Sequence, residues 1–154
     1  MTTKDAIYRE LKFGLAGAGG ALDGLIAQNH IKMDVRIQSS SMQSEDDYPW
    51  IIFRRVILEE NDVRYSRERY EIELIGLQSS GSKGDDLLEE IRNALVDHFA
   101  GKLKTWGKFT ADGTAEPDGG LKMKSVYLDS VDMSEFETKE KVHLLMFAFT
   151  HVRA

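Results

Sequence analysis

The chain has 154 residues, 42% of them hydrophobic and 30% charged, which suits one folded domain with a core and excludes a mainly disordered chain. Lys and Arg number 20 against 26 Asp and Glu, and the net charge of −6 disfavours a strongly basic nucleic-acid clamp. Cysteine is absent, which excludes disulfides, thiolate metal sites and cysteine nucleophiles and fits a reducing compartment.

The spacing predicts a helix at the start. Thr2 and Asp5 stand three apart, as in a capping box, and Ile7, Leu11 and Leu15 recur on one stripe. Gly14, Gly17, Gly19 and Gly20 then end or interrupt it, since each glycine costs a helix about 1 kcal/mol. This run is expected to be a turn. A phosphate loop would need a preceding strand and a Gly-Lys-Ser/Thr ending, and neither is present. A short second helix is expected over 22–27.

Met33, Val35 and Ile37 alternate with polar residues, which predicts a strand with one wet face. Residues 39–47 are polar and without period, hence a loop. Pro49 opens the run 50–58, the most strand-like in the chain and apolar on both faces. A turn at 59–62 leads into a strand over 64–77, whose beginning alternates Arg64, Arg67 and Arg69 with polar residues. That stripe reads first as a solvated face paired with carboxylates.

The strongest helix is expected over 83–100, with Leu87, Leu88, Ile91, Leu95 and Phe99 on one face and acidic residues in its first turns. Gly101 supplies a stop. Residues 102–120 are irregular, with a short strand near Thr105 and turn chemistry at Asp112-Gly113 and Pro117-Asp118-Gly119. A stretch of that length is expected to be a functional loop. Strands over 122–132 and 141–153, separated by an acidic turn at 133–140, close the chain. The second of these is apolar on both faces at 144–149. The order predicts an α+β fold: a mainly antiparallel sheet of four or five strands with two or three helices packed on one face, as a single domain over 1–154.

Little in the sequence carries chemistry. His30, His98, His143 and His151 show no metal-ligand spacing, Asp46-Asp47 and Asp85-Asp86 are neighbours that diverge, and no nucleophile elbow occurs. The expectation is a protein that is not an enzyme and has no catalytic residues, no metal and no cofactor. No apolar run approaches the ~20 residues of a membrane span, and the first residues lack a signal-peptide pattern, so no membrane partner is expected. Two-faced strands are met either by covering helices or by neighbouring copies of the chain. The interface candidates are Trp50, Phe53 and Arg55, then Trp106, then Phe147, Phe149 and His151, because large aromatics and arginine are enriched where partners dock.

The order of segments resembles a known family. An N-terminal helix and an extended segment precede the strand Tyr48-Pro49-Trp50-Ile51-Ile52-Phe53-Arg54. Next come the strand Tyr70-Glu71-Ile72-Glu73-Leu74-Ile75-Gly76, the helix Asp86-Leu87-Leu88-Glu89-Glu90-Ile91-Arg92-Asn93-Ala94-Leu95 and two closing strands. This looks like the tail terminator (tail completion, tail-to-head joining) proteins of long-tailed bacteriophages, from about residue 5 to 152. The motifs are patterns of residue type, and the glycine run at 14–20 has no counterpart among them.

The resemblance implies a small α+β subunit of the virion, made in the bacterial cytoplasm, that forms a homo-oligomer, a hexameric ring. The ring would sit on the head-proximal end of the tail, contact the tail tube protein and the head connector protein, and stop tube polymerisation. The loops at 39–47 and 102–120 would reach these partners, and DNA would pass through without specific binding because the chain is acidic. Two other readings stay open. One is a head–tail connector component. The other is a small-ligand-binding α+β domain in which the glycine run and Arg54, Arg55, Arg64, Arg67 and Arg69 form an anion pocket.

Overall fold

The computed structural model describes residues 2–34, 49–61, 65–77, 85–100, 105–135 and 140–152. Helix α1 (Thr3–Arg9) starts on the expected capping box: Thr2 Oγ1 accepts from the Asp5 N–H at 3.1 Å, and the Asp5 carboxylate accepts from the Thr2 N–H at 3.3 Å. The helix then widens into a π turn (Glu10–Leu15) that takes in Gly14, the first glycine of the run, and ends at Leu15. Leu22–Ile26 is not helical. It runs as turns because Gly24 sits at φ +82°, outside helical geometry. A 3-10 turn (Gln28–His30) feeds strand β1 (Ile31–Met33).

β1 starts one residue before the predicted strand and its last residue is Met33, while Val35, Arg36, Ile37 and Gln38 of that prediction lie outside the described residues. Asp34 takes φ +59°, a left-handed conformation that aspartate tolerates, and pairs with Lys4. The predicted loop at 39–47 lies outside the described residues. Strand β3 (Tyr65–Leu77) is close to its predicted span, but β2 (Trp50–Asn61) runs three residues past its expected end: the expected turn at 59–62 is strand through Asn61, where Glu60 pairs with Arg67 and Asn61 with Ser66, and residue 62 lies outside the described residues. Helix α2 (Asp85–Phe99) follows, then β4 (Thr105–Trp106), β5 (Leu121–Glu135) and β6 (Glu140–Val152). Of the stretch 133–140 expected as an acidic turn, 133–135 belong to β5 and Glu140 opens β6, while residues 136–139 lie outside the described residues.

The fold is α+β. The sheet has six strands in the order β1-β2-β3-β6-β5-β4. Four are long and mutually antiparallel, while β1 and β4 are short edge strands and β1 pairs parallel to β2. β2 meets β3 with Arg54 opposite Glu71 and Phe53 opposite Ile72; β3 meets β6 with Ile72 opposite Leu145. The helices share one face. Ile7, Leu11 and Leu15 from the N-terminal segment and Leu88, Ile91, Leu95 and Phe99 from α2 pack with Phe53, Tyr70, Ile72, Leu145, Phe147 and Phe149 of the sheet. Period two along the strands and the 3.6-residue stripe of α2 put these residues together.

α2 lies close on the sheet because of Gly76. A Cβ there would stand 2.9 Å from the Leu88 side chain, so the glycine is what the approach requires. β2 and β6 are two-faced, as expected: Ile52 and Ala148 are buried on the side opposite the helices, at 1% and 0% exposure.

Candidate functional site

Four of the seven interface candidates are core residues of the chain itself. Phe53, Phe147 and Phe149 are 0% exposed and Trp106 is 1% exposed. Phe99 gathers three of them: its ring lies 5.2 Å from Trp106, 5.8 Å from Phe147 and 5.6 Å from Phe149. Sequence composition could not separate docking aromatics from core aromatics, because the same apolar area serves both. His151 is placed by its backbone in β6, opposite Ser66 and Met123; its side chain lies outside the described residues.

Trp50 and Arg55 are the candidates that reach the surface. Trp50 is half-buried, and the His30 ring stacks on it with centroids 4.3 Å apart and planes within 6°. His30 Nδ1 lies 3.0 Å from the Pro49 carbonyl, and the Lys32 ammonium stands 5.8 Å from the Trp50 ring centroid. This is an aromatic platform with basic neighbours at the β1 edge.

Arg55 is half exposed and reaches Glu68 at 3.4 Å. Glu68 is buried at 7% exposure, and the Tyr70 hydroxyl donates to its other oxygen at 2.7 Å. Burial, then the hydrogen bond to the Glu68 carboxylate, hold the Tyr70 phenol well above its ordinary range, so it stays a donor. On the opposite face Arg54 pairs with Glu73 and lies 3.8 Å from Glu71. The alternating charges of β2 and β3 thus form cross-strand pairs.

The anion-pocket reading finds no support in this geometry. Arg54 and Arg55 are engaged by glutamates, and Arg64 lies outside the described residues. The glycine run already has a carboxylate of its own, since Asp23 accepts from the Gly19 N–H at 3.1 Å. The cleft beside it, about 780 Å³, is lined by Ala16, Asp23, Gly24, Ile26, His30 and Pro49 among others, with no arginine among its described lining.

Residues 105–120 are not a free arm. Gly107 sits at φ +71° against Ala6, where a Cβ would come within 2.6 Å of the backbone. Its N–H donates to Glu10 Oε2 at 2.9 Å, and Arg9 donates to the Phe109 carbonyl at 3.1 Å. At the far end Thr110, Asp112 and Thr114 close a turn, and their hydroxyl and amide donors, Thr110 first, hold the Asp112 carboxyl below its ordinary value. Among the described residues no three His, Cys, Asp or Glu side chains gather as for a metal, and no helix is long and apolar enough to cross a membrane.

No protein-family model and no curated sequence matches the chain. A chain of a solved structure described as the virion of a native gene transfer agent (GTA) particle is similar to it in fold. The TM-score is 0.60 with 10% identity, over 98% of this chain and 95% of that one. At that identity the likeness is one of fold.

Proposed function

We propose that the chain is a structural subunit of a phage-type particle and acts as a tail terminator. The observation that carries this is the end-to-end likeness of its fold to a chain of a GTA virion, joined to the order of elements that resembles tail terminators. On this reading copies form a hexameric ring on the head-proximal end of the tail tube. The ring stops tube growth and offers the head connector a docking surface, and DNA passes through without being held. On this reading the chain works by shape and is not an enzyme; within the chain Arg54 pairs with Glu73, and Glu10 is hydrogen-bonded to His98.

Two measurements test the proposal. Native mass spectrometry of the purified chain is expected to give a mass of six copies, alone or once tube protein is added. Tubes polymerised with the chain are expected to stay short and carry a ring on one end by electron microscopy. Tubes that grow to the same length with and without it would rule out the terminator role.

A further inference from the structure

Among the described residues, two long stretches of sheet edge carry no neighbouring strand. β1 covers only Ile51–Phe53 of β2, and β4 covers only Leu121 and Lys122 of β5. Among the described residues, the outer edges of 54–61 and 123–135 therefore have no strand beside them. Open edges of that length are templates for another strand. They lie on opposite sides of one sheet, and the three antiparallel pairings between them make β2 and β5 run in opposite directions.

The order of charges along these edges is matched. From its N-terminal end the β2 edge reads Arg54, Arg55, then Val56, Ile57, Leu58, then Glu59, Glu60. The β5 edge reads Lys124, then Val126, Tyr127, Leu128, then Asp129, Asp132, Glu135. Both run from basic through apolar to acidic. Laid antiparallel, each basic end meets an acidic end and the apolar centres coincide; laid parallel, like charges would meet.

The levels agree as well. Following the pairings across the sheet, Arg54 stands level with Ser130, beside Asp129, by way of Glu71 and Met146. Leu58 stands level with Val126 by way of Glu68 and Phe149. Glu60 stands level with Ser125, beside Lys124, by way of Arg67 and Thr150. A second copy rotated about an axis along the strands keeps both direction and level, so its β5 arrives antiparallel to β2 in this register.

We infer that copies of this chain join edge to edge, the 54–61 edge of one pairing antiparallel with the 123–135 edge of the next, Leu58 opposite Val126 and Glu60 opposite Ser125. The contact is head-to-tail, the kind that closes into rings. It rests on the ring-forming reading above and specifies the surface that reading needs. Lysines on an open edge usually repel a second strand; here the strand that would arrive carries Glu59 and Glu60 at that end.

The absence of native cysteine makes cross-linking clean. Glu60→Cys with Ser125→Cys, oxidised in the assembled state, is expected to give interchain disulfides and a ladder of multimers on a non-reducing gel. The two positions in one chain lie three strand spacings apart, about 14 Å, too far to bridge internally. Glu60→Cys with Ser134→Cys, displaced by about 30 Å along the strand, should not cross-link.

Reversing charges on one edge (Glu59→Lys with Glu60→Lys, or Lys124→Glu) is expected to weaken assembly about tenfold, and combining both edges' changes to restore it. In the unaltered chain, amide exchange at 54–61 and 123–135 should slow on assembly. Rings that form with both cysteine pairs cross-linking alike, or with exchange at these edges unchanged, would overturn the edge pairing and leave the ring intact. A chain that stays monomeric at every concentration and never caps a tube would remove both.

Discussion

His98 Nε2 lies 2.9 Å from Glu10 Oε1, across 88 residues of sequence, while the other Glu10 oxygen takes the Gly107 N–H at 2.9 Å. One carboxylate thus ties the π turn to the end of α2 and to the segment after β4. Both its side chain and that of His98 are largely buried, at 13% and 24% exposure. Glu10→Ala strands a buried imidazole and a backbone N–H, and is expected to cost about 2–3 kcal/mol in urea unfolding. Glu10→Gln keeps an acceptor and should cost less than half of that. Equal losses for the two variants would mean that the hydrogen bonds contribute nothing beyond packing.

Gly107 meets two demands at once, a positive φ and the backbone of Ala6. Gly107→Ala is expected to destabilise by about 3 kcal/mol, from left-handed strain plus overpacking. Gly19→Ala is the comparison: its φ is +78° but nothing lies within 4 Å of the added carbon. That variant should lose only the strain, about 1 kcal/mol. Thermal melts of the two variants separate the contributions.

Phe99 is fully buried and touches Trp106, Phe147 and Phe149. Phe99→Ala should cost about 3–5 kcal/mol through lost transfer energy and the cavity left behind. Tyr70→Phe keeps the ring that stacks 4.9 Å from Phe53 but removes the donor to Glu68, and about 1–2 kcal/mol is expected. A neutral Tyr70→Phe variant would show that Arg55 alone satisfies the Glu68 carboxylate.

The Asp5 carboxyl is held below its ordinary value of 3.8, chiefly by the Thr2 hydroxyl. A lowered folded value means that the ionised cap stabilises the fold above the unfolded value and is lost as pH falls through the folded one. Stability measured from about pH 5 down to about pH 2 should therefore fall more steeply in the native chain than in Thr2→Ala, which lacks that hydroxyl. Thr2→Ala should also cost about 1 kcal/mol at neutral pH as a lost cap. Parallel pH profiles for the two proteins would refute the linkage.

Much of the fold was legible in the residues. The capping box at Thr2, the stripe of α2 from Leu87 to Phe99, and the apolar runs of β2 and β6 are local patterns, and local patterns survive folding when a face is buried. The helix expected at 22–27 was not formed, because one glycine in left-handed geometry outweighs a few apolar residues. The candidate site was much less legible. Trp106, Phe147 and Phe149 carry the same composition whether they face a partner or one another, and only the packing around Phe99 assigns them to the core.

Legible in the residues alone were the α+β class, the acidic charge, the lack of cysteine and two strands apolar on both faces. Composition and short-range periodicity act through neighbours in the chain, so they are readable there. What depends on distant partners emerged only on folding. Folding set the strand order, the joining of Glu10 to His98 and Gly107, the pairing of Arg54 and Arg55 with glutamates, and the level at which β2 and β5 stand across the sheet. Each of these is a relation between segments far apart in the chain, fixed only when the sheet places its strands side by side.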